Sequence, residues 1–247
     1  MILTTQRSGS SWLVDLLDHH PSITAYGELF RVTDTSVSCY GATAVPKFEV
    51  MVGPRTFSVS AGLAAKRLRY VRGLVRAHPD ARAVGFKLMY DQTRDHGGLL
   101  GALALLRVKF VHLVRRDSLS AVVSFDIASE SARWHFRSGD AMSLPPIRAD
   151  TASLVDRLQQ RDREIERFRT RLARMAVPVH EVAYEDLVAR HEEALGAVVE
   201  FLGLPRPAAP LHSSLVRPTY RRPIDLVENR EEVVATLAGT EYESLAA

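Results

Sequence analysis

The chain has 247 residues, 46% hydrophobic and 25% charged, with a net charge of +3 and an isoelectric point near 9.2. This is the composition of an ordinary globular protein, and it excludes a disordered or fibrous chain. No apolar run approaches the roughly 18 residues of a membrane span. The start lacks the basic region, apolar core and cleavage site of a secretory leader. A single cysteine, Cys39, forbids an intrachain disulfide and any cysteine-based metal cluster. The expectation is one domain over residues 1–247, located in the cytoplasm. The basic balance suits an anionic small ligand as well as nucleic acid. Few aromatic residues that would stack on bases lie in the arginine-rich helices, so nucleic acid is not the expected partner.

Strand and helix patterns alternate along the chain, as in a parallel sheet covered by helices. Ile2–Gln6 reads as a strand and Ser10–Asp18 as its helix. Residues 31–60 show no period and read as an irregular insertion on the substrate side. A basic helix follows over Ala61–Ala77, a buried strand over Ala83–Met89 and a helix around Gly98–Leu106. Val108–Val114 is the strongest candidate for a central strand, and Asp117 or Ser118 caps the helix after it. Residues 138–150 read as loop, Thr151–Ala176 as a long helix and Val179–Ala183 as a short strand. Glu192–Leu202 is a helix stopped by Gly203 and Pro205. A tail rich in Arg and Pro, Arg217–Pro223, precedes a small helix near Asn229–Leu237.

Chemistry concentrates first at Thr5-Gln6-Arg7-Ser8-Gly9-Ser10-Ser11-Trp12. A strand feeding a small polar loop and then a helix aims backbone N–H groups and a positive dipole end at a phosphate. Gly9 allows close backbone approach, the serine hydroxyls add donors and Arg7 adds a fixed cation. The Gly-Lys-Ser/Thr of triphosphate-binding loops is missing, so the usual Mg–triphosphate is not expected. A second basic segment, Val114-Arg115-Arg116-Asp117, ends a strand, where open α/β sheets bind ligands. Lys87 lies inside an apolar strand pattern and is either ion-paired or exposed at the strand end to a ligand. His112, also within a strand, reads as a core residue, and His19 and His20 as groups at the end of the first helix.

These segments together resemble the sulfotransferases that use 3′-phosphoadenosine 5′-phosphosulfate (PAPS). The first loop is similar to that family's 5′-phosphosulfate loop. In that family an Arg ending a strand and a Ser eight positions later hold the 3′-phosphate, the spacing of Arg116 and Ser124. Arg115 takes the role if the register slips by one. Two weaker matches are His19 through Phe30 and Tyr184-Glu185-Asp186-Leu187.

The resemblance implies a three-layer α/β/α, P-loop-like fold around a mainly parallel sheet. It implies donor binding by Arg7, Ser8, Gly9, Ser10, Ser11, Trp12, Arg116, Ser124 and Tyr184. Tyr26-Gly27-Glu28-Leu29-Phe30 is similar to the Gly-Glu segment of a bacterial branch that uses Glu as base. Glu28 is therefore the implied base, with Leu29 and Phe30 expected to raise its pKa. Arg7 would neutralise the leaving phosphate and Lys87 would touch the sulfuryl oxygens or the acceptor. No metal is required. The acceptor would be a hydroxyl on a carbohydrate, glycolipid or natural product. Arg217, Arg221 and Arg222 stand where related enzymes close a basic segment over the 3′-phosphate, although the Arg-Lys-Gly run is missing. A nucleotide kinase and a non-catalytic nucleic-acid-binding protein are the alternatives. Whether two copies form a homodimer is open.

Overall fold

A computed structural model of the chain describes residues 1–31, 36–38, 44–46, 48, 61–137, 140, 144–216 and 222–246. Five parallel strands form the central sheet in the order β2-β5-β1-β6-β8. They are β1 (Ile2–Thr4), β2 (Ile23–Glu28), β5 (Ala83–Met89), β6 (Phe110–Val114) and β8 (Val179–Ala183). Two short antiparallel pairs stand apart, β3 (Ser36–Ser38) with β4 (Ala44–Pro46) and β7 (Phe136–Arg137) with β9 (Leu215–Val216). The helices are α1 (Ser10–Asp18), α2 (Ala61–Arg76), α3 (Gln92–Asp95), α4 (Leu99–Leu105), α5 (Ser118–Ser131), α6 (Leu154–Arg174), α7 (Tyr184–Ala189), α8 (His191–Leu202) and α9 (Arg230–Leu237).

Both sheet faces are apolar because parallel strands are covered on each side. Alternate residues of one strand therefore join different cores. Leu3, Phe110 and Val114 pack with Leu63, Leu74, Leu103, Ile165 and Phe168 of α2, α4 and α6. Ile2, Val111 and Leu113 face the other way, against Leu13, Leu16 and Leu17 of α1 and Val198 and Val199 of α8. A third cluster joins Leu119, Val123 and Ile127 of α5 to Val233 and Leu237 of α9. The result is the three-layer α/β/α architecture read from the sequence.

The strand β5 has the expected bounds, and α1 and β8 do too. Two differences bear on the site. β1 stops at Thr4, so Thr5 and Gln6 already belong to the loop. β2 carries no strand expectation in its sequence, because Gly27 interrupts it and Pro21 precedes it closely. Its register with β5 shifts between Tyr26 and Glu28. Tyr26 pairs with Phe86 and Glu28 with Lys87, so two residues of β2 oppose one of β5. Such a bulge re-aims a side chain. Without it Glu28 would share Tyr26's face, toward the core that holds Phe86.

Candidate active site

All five central strands deliver functional groups at their carboxyl ends, where a doubly wound sheet opens its binding crevice. A cleft of about 770 Å³ lies there. After β1 it is lined by Arg7, Gly9, Ser10, Ser11 and Trp12, and at the end of β2 by Glu28. Lys87 of β5, Arg115 after β6 and Tyr184 after β8 complete the ring, with Ser120 and Ser124 from α5.

The first loop is held from below by its own hydroxyls. Thr4 Oγ1 donates to the Leu113 carbonyl (2.7 Å) and meets Ser8 Oγ at 2.6 Å. Ser8 is fully buried and does not line the cleft. The Ser8 hydroxyl, expected on the ligand, is turned inward by Thr4 as a loop anchor. Gly9 caps α1 at φ 83° with no side-chain capping bond, leaving the helix's first N–H groups facing the cleft. A Cβ on Gly9 would lie 2.4 Å from Cδ2 of Tyr184. Gly9→Ala therefore combines this clash with a left-handed conformation costing about 1–2 kcal/mol for an L-residue. The expected outcome is at least tenfold weaker nucleotide binding by calorimetry, with the remainder of the fold intact by circular dichroism.

Arg7 spans the cleft mouth. Its Nε donates to Ser124 Oγ (3.0 Å) and its Nη1 to the Trp134 carbonyl (2.8 Å). The two anion-binding segments recognised in the sequence therefore meet in one cleft. Of the paired arginines, Arg115 enters it, donating to the Arg7 carbonyl (3.2 Å) and lying 4.7 Å over the Tyr184 ring. Arg116 does not line the cleft; it is exposed and pairs with Asp186 at 2.6 Å. Arg116, expected at the ligand, is held away from the cleft by the carboxylate after β8. Trp12 stands at the rim, 5.3 Å from His191 in a stacked pair and edge-on to Tyr184.

Glu28 and Lys87 form a near-buried ion pair at 3.0 Å. Lys87 Nζ also donates to Ser11 Oγ of α1 (3.1 Å); of the two sequence alternatives the ion pair is the one seen, made by a buried lysine that lines the cleft. Gln92, 4% exposed, fixes the other carboxylate oxygen. Its Oε1 accepts from the Met89 N–H (3.2 Å), which forces Nε2 toward Glu28 Oε2 at 2.6 Å. Burial pushes the Glu28 carboxyl up, but the Lys87 charge and hydrogen bond, the Arg31 charge and the Gln92 bond outweigh it. The net result is a pKa below the ordinary carboxylate value. This corrects the expected upward shift: Leu29 and Phe30 turn wholly into the core and leave Glu28 to its cation.

Asp91 caps α3, accepting from Gln92 N (2.8 Å) and from Gln6 Nε2 of the first loop (3.1 Å). Burial, reinforced by Glu28 and Asp95, raises its pKa against the backbone bond from Gln92. Asp91, Gln92, Asp95 and Arg31 all line the cleft and were invisible to motif reading, since no spacing sets them apart. Their signal was only their place directly after a strand end. His19 and His20 lie at the opposite end of α1 from the cleft. His19 Nδ1 meets the Asp15 carbonyl, and His20 is buried against Ser22 and Pro205. His112 is a core residue, its Nδ1 on Glu181 (2.9 Å) and its Nε2 on the Tyr90 hydroxyl (2.5 Å).

The C-terminal segment is anchored by Asp15, fully buried, which accepts from Ser213 Oγ (2.6 Å) and Ser214 N (2.7 Å). That anchor brings Leu215 and Val216 to the cleft, which Arg222 also lines. Arg217 and Arg221 lie outside the described residues, as do Cys39 and much of the 31–60 insertion. Among the described residues no three His, Cys, Asp or Glu groups gather as a metal site, and no helix is long and apolar enough to cross a membrane.

This is the geometry of an α/β protein that sets a near-buried carboxylate and several arginines around the loop before its first helix. A family model described as Stf0 sulphotransferase matches residues 1–229, and the chain belongs to that family. It is a sulfotransferase, which displaces the kinase and nucleic-acid-binding alternatives. Nodulation protein H of Rhizobium meliloti is 25% identical over 251 residues, covering 98% of this chain and 92% of that protein. The sulfotransferase domain of the Synechococcus PCC 7002 olefin synthase aligns over 99% of this chain and 84% of that one, at 17% identity and a TM-score of 0.48. A sulfotransferase from Alicyclobacillus acidocaldarius aligns over 96% and 90%, at 16% identity and a TM-score of 0.45.

Proposed function

We propose that the donor is PAPS and that the acceptor is a hydroxyl on a carbohydrate, glycolipid or natural product. The carrying observation is that the uncapped loop at Gly9 and the pair Arg115 and Ser124 share one cleft with a buried carboxylate, Glu28. The residues fit a bisphosphorylated nucleotide. The Gly9 backbone is closely covered by Tyr184, and Arg115 Nε is buried without a partner, a donor waiting for an anion.

When bound, PAPS supplies a sulfuryl group carried on phosphate. The loop N–H groups from Gly9 onward, Ser10, Ser11 and Arg7 hold the 5′ end and receive its developing charge. Arg115 and Ser124, in place of Arg116 and Ser124, hold the 3′-phosphate. Trp12 and Tyr184 flank the nucleoside. Glu28 takes the acceptor proton, and Lys87 neutralises the group in transfer. Positioning and fixed dipoles supply most of the rate. The acceptor end is polar, lined by Asp91, Gln92 and Asp95, which supports a hydroxyl-rich acceptor.

The packing of α9 against α5 supports residues 1–247 as one domain, beyond the 229 residues of the family match. A cytoplasmic location belongs to the same proposal, supported by the lone cysteine. The assay is transfer of labelled sulfate from PAPS to acceptor extracts, with and without chelator. Chelator-insensitive labelling is expected; ATP-dependent, Mg²⁺-dependent phosphorylation instead would overturn the reading.

The ion pair sets the pH profile. A carboxyl held below its ordinary value of about 4.3 stays charged through the neutral range, and its contribution to stability fades only as pH falls through that lowered pKa. Lys87→Met removes the cation and leaves burial to dominate, so the Glu28 pKa rises. The acid limb of kcat/KM should move to higher pH, alongside a lower maximal rate. An unmoved acid limb in pH–rate measurements contradicts this assignment.

A further inference from the structure

Two arginines stand behind the phosphate loop, and neither forms an ion pair among the described residues. Arg115 donates to the Arg7 carbonyl, and Arg161 of α6 donates through Nη1 to the neighbouring Gln6 carbonyl at 2.9 Å. Successive carbonyls are thereby drawn back against α6 and β6, which leaves the loop's amides free to face the cleft. Arg161 is half-buried overall, yet its Nε and Nη2 are sealed from solvent and have no partner. Arg161 does not itself line the cleft.

Guanidinium nitrogens sealed with no hydrogen-bond partner are costly when no ligand is bound. Burial, with the nearby Arg115 charge, pushes the Arg161 guanidinium down to about 10, against weaker support from Tyr90, Asp162 and Glu185. It therefore stays charged at neutral pH. Such a group lowers the potential energy of an anion placed on the other side of the loop without touching it. The same helix also grips the second half of the site. Asp162 bonds Ser118 at the start of α5, and Arg157 pairs with Asp126 further along it.

We propose that Arg161 is a positioning residue for the donor site, a cation without an ion pair among the described residues that orients the Gln6 carbonyl and raises affinity for a polyanionic nucleotide. This rests on reading the cleft as the donor site. A merely structural arginine would support the empty fold; this one burdens it, and its benefit appears only when the anion arrives.

The experiment compares wild type, Arg161→Met and Arg161→Lys by thermal melting without ligand and by calorimetry with adenosine 3′,5′-bisphosphate. Arg161→Met should melt at or above the wild-type temperature and bind the nucleotide about tenfold more weakly. Arg161→Lys should recover part of that affinity through its charge. A lower melting point or failure to fold in Arg161→Met, with wild-type affinity retained by Arg161→Lys, assigns a structural role and overturns the proposal. Equal affinity in Arg161→Met and wild type overturns it as well. Wild type that does not bind the bisphosphate at all sinks the reading of the cleft instead.

Discussion

Glu28→Gln should bind adenosine 3′,5′-bisphosphate as tightly as wild type and transfer sulfate about 10²–10⁴-fold more slowly, the usual contribution of a positioned base. The amide keeps the shape of the carboxylate and its one oxygen still accepts from Lys87, while the bond from Gln92 is lost, so the cleft should persist with one contact fewer. What it loses is the ability to accept the acceptor's proton. The separation matters because Glu28 lies on a side of the cleft distinct from Arg115 and Ser124, which hold the nucleotide in this account. Single-turnover assays with labelled donor read the chemical step directly. Near-wild-type turnover would pass the base role to another group, and Asp91, with its raised pKa in the same cleft, would be next.

The second large effect separates two adjacent arginines. Arg115→Met removes a guanidinium that lies over Tyr184 and leaves a nitrogen unpartnered for an incoming anion. A charged hydrogen bond to phosphate contributes about 1.5–3 kcal/mol, so nucleotide affinity should fall roughly 10- to 100-fold. Arg116→Met breaks only an exposed pair with Asp186, of the kind that contributes little in water. Its affinity should stay within about twofold of wild type. Calorimetry of both variants decides the register. The reverse ranking would restore the assignment that the Arg-to-Ser spacing of eight suggests.

Those two arginines show where linear sequence stops informing. The run at 114–117 announces a strand ending in basic residues, and the fold obliges. Which of the two points inward depends on Asp186, about 70 residues away, which no local pattern reveals. Ser8 and Ser10 look equivalent in the loop, yet Thr4 claims Ser8 from beneath. The loop itself and the central strands other than β2 were legible because period and motif are local properties, and Ser124 was legible by resemblance. Glu28 was legible by resemblance, but its aim depends on a bulge at Gly27 that only the pairing with β5 displays. Its electrostatics were misjudged from Leu29 and Phe30, because both turn into the core just past the end of β2 and leave the carboxylate beside Lys87. Gln92 was silent for a related reason: a buried amide has no signature until its two partners are seen.

The account's central claim is that one cleft grips both phosphates of a single adenosine nucleotide. Titration calorimetry with adenosine 3′,5′-bisphosphate against adenosine 5′-monophosphate puts it to the test most directly. At least tenfold tighter binding of the bisphosphate, abolished as a difference in Arg115→Met, is the predicted result. Equal affinity for the two nucleotides in the wild-type protein would contradict it.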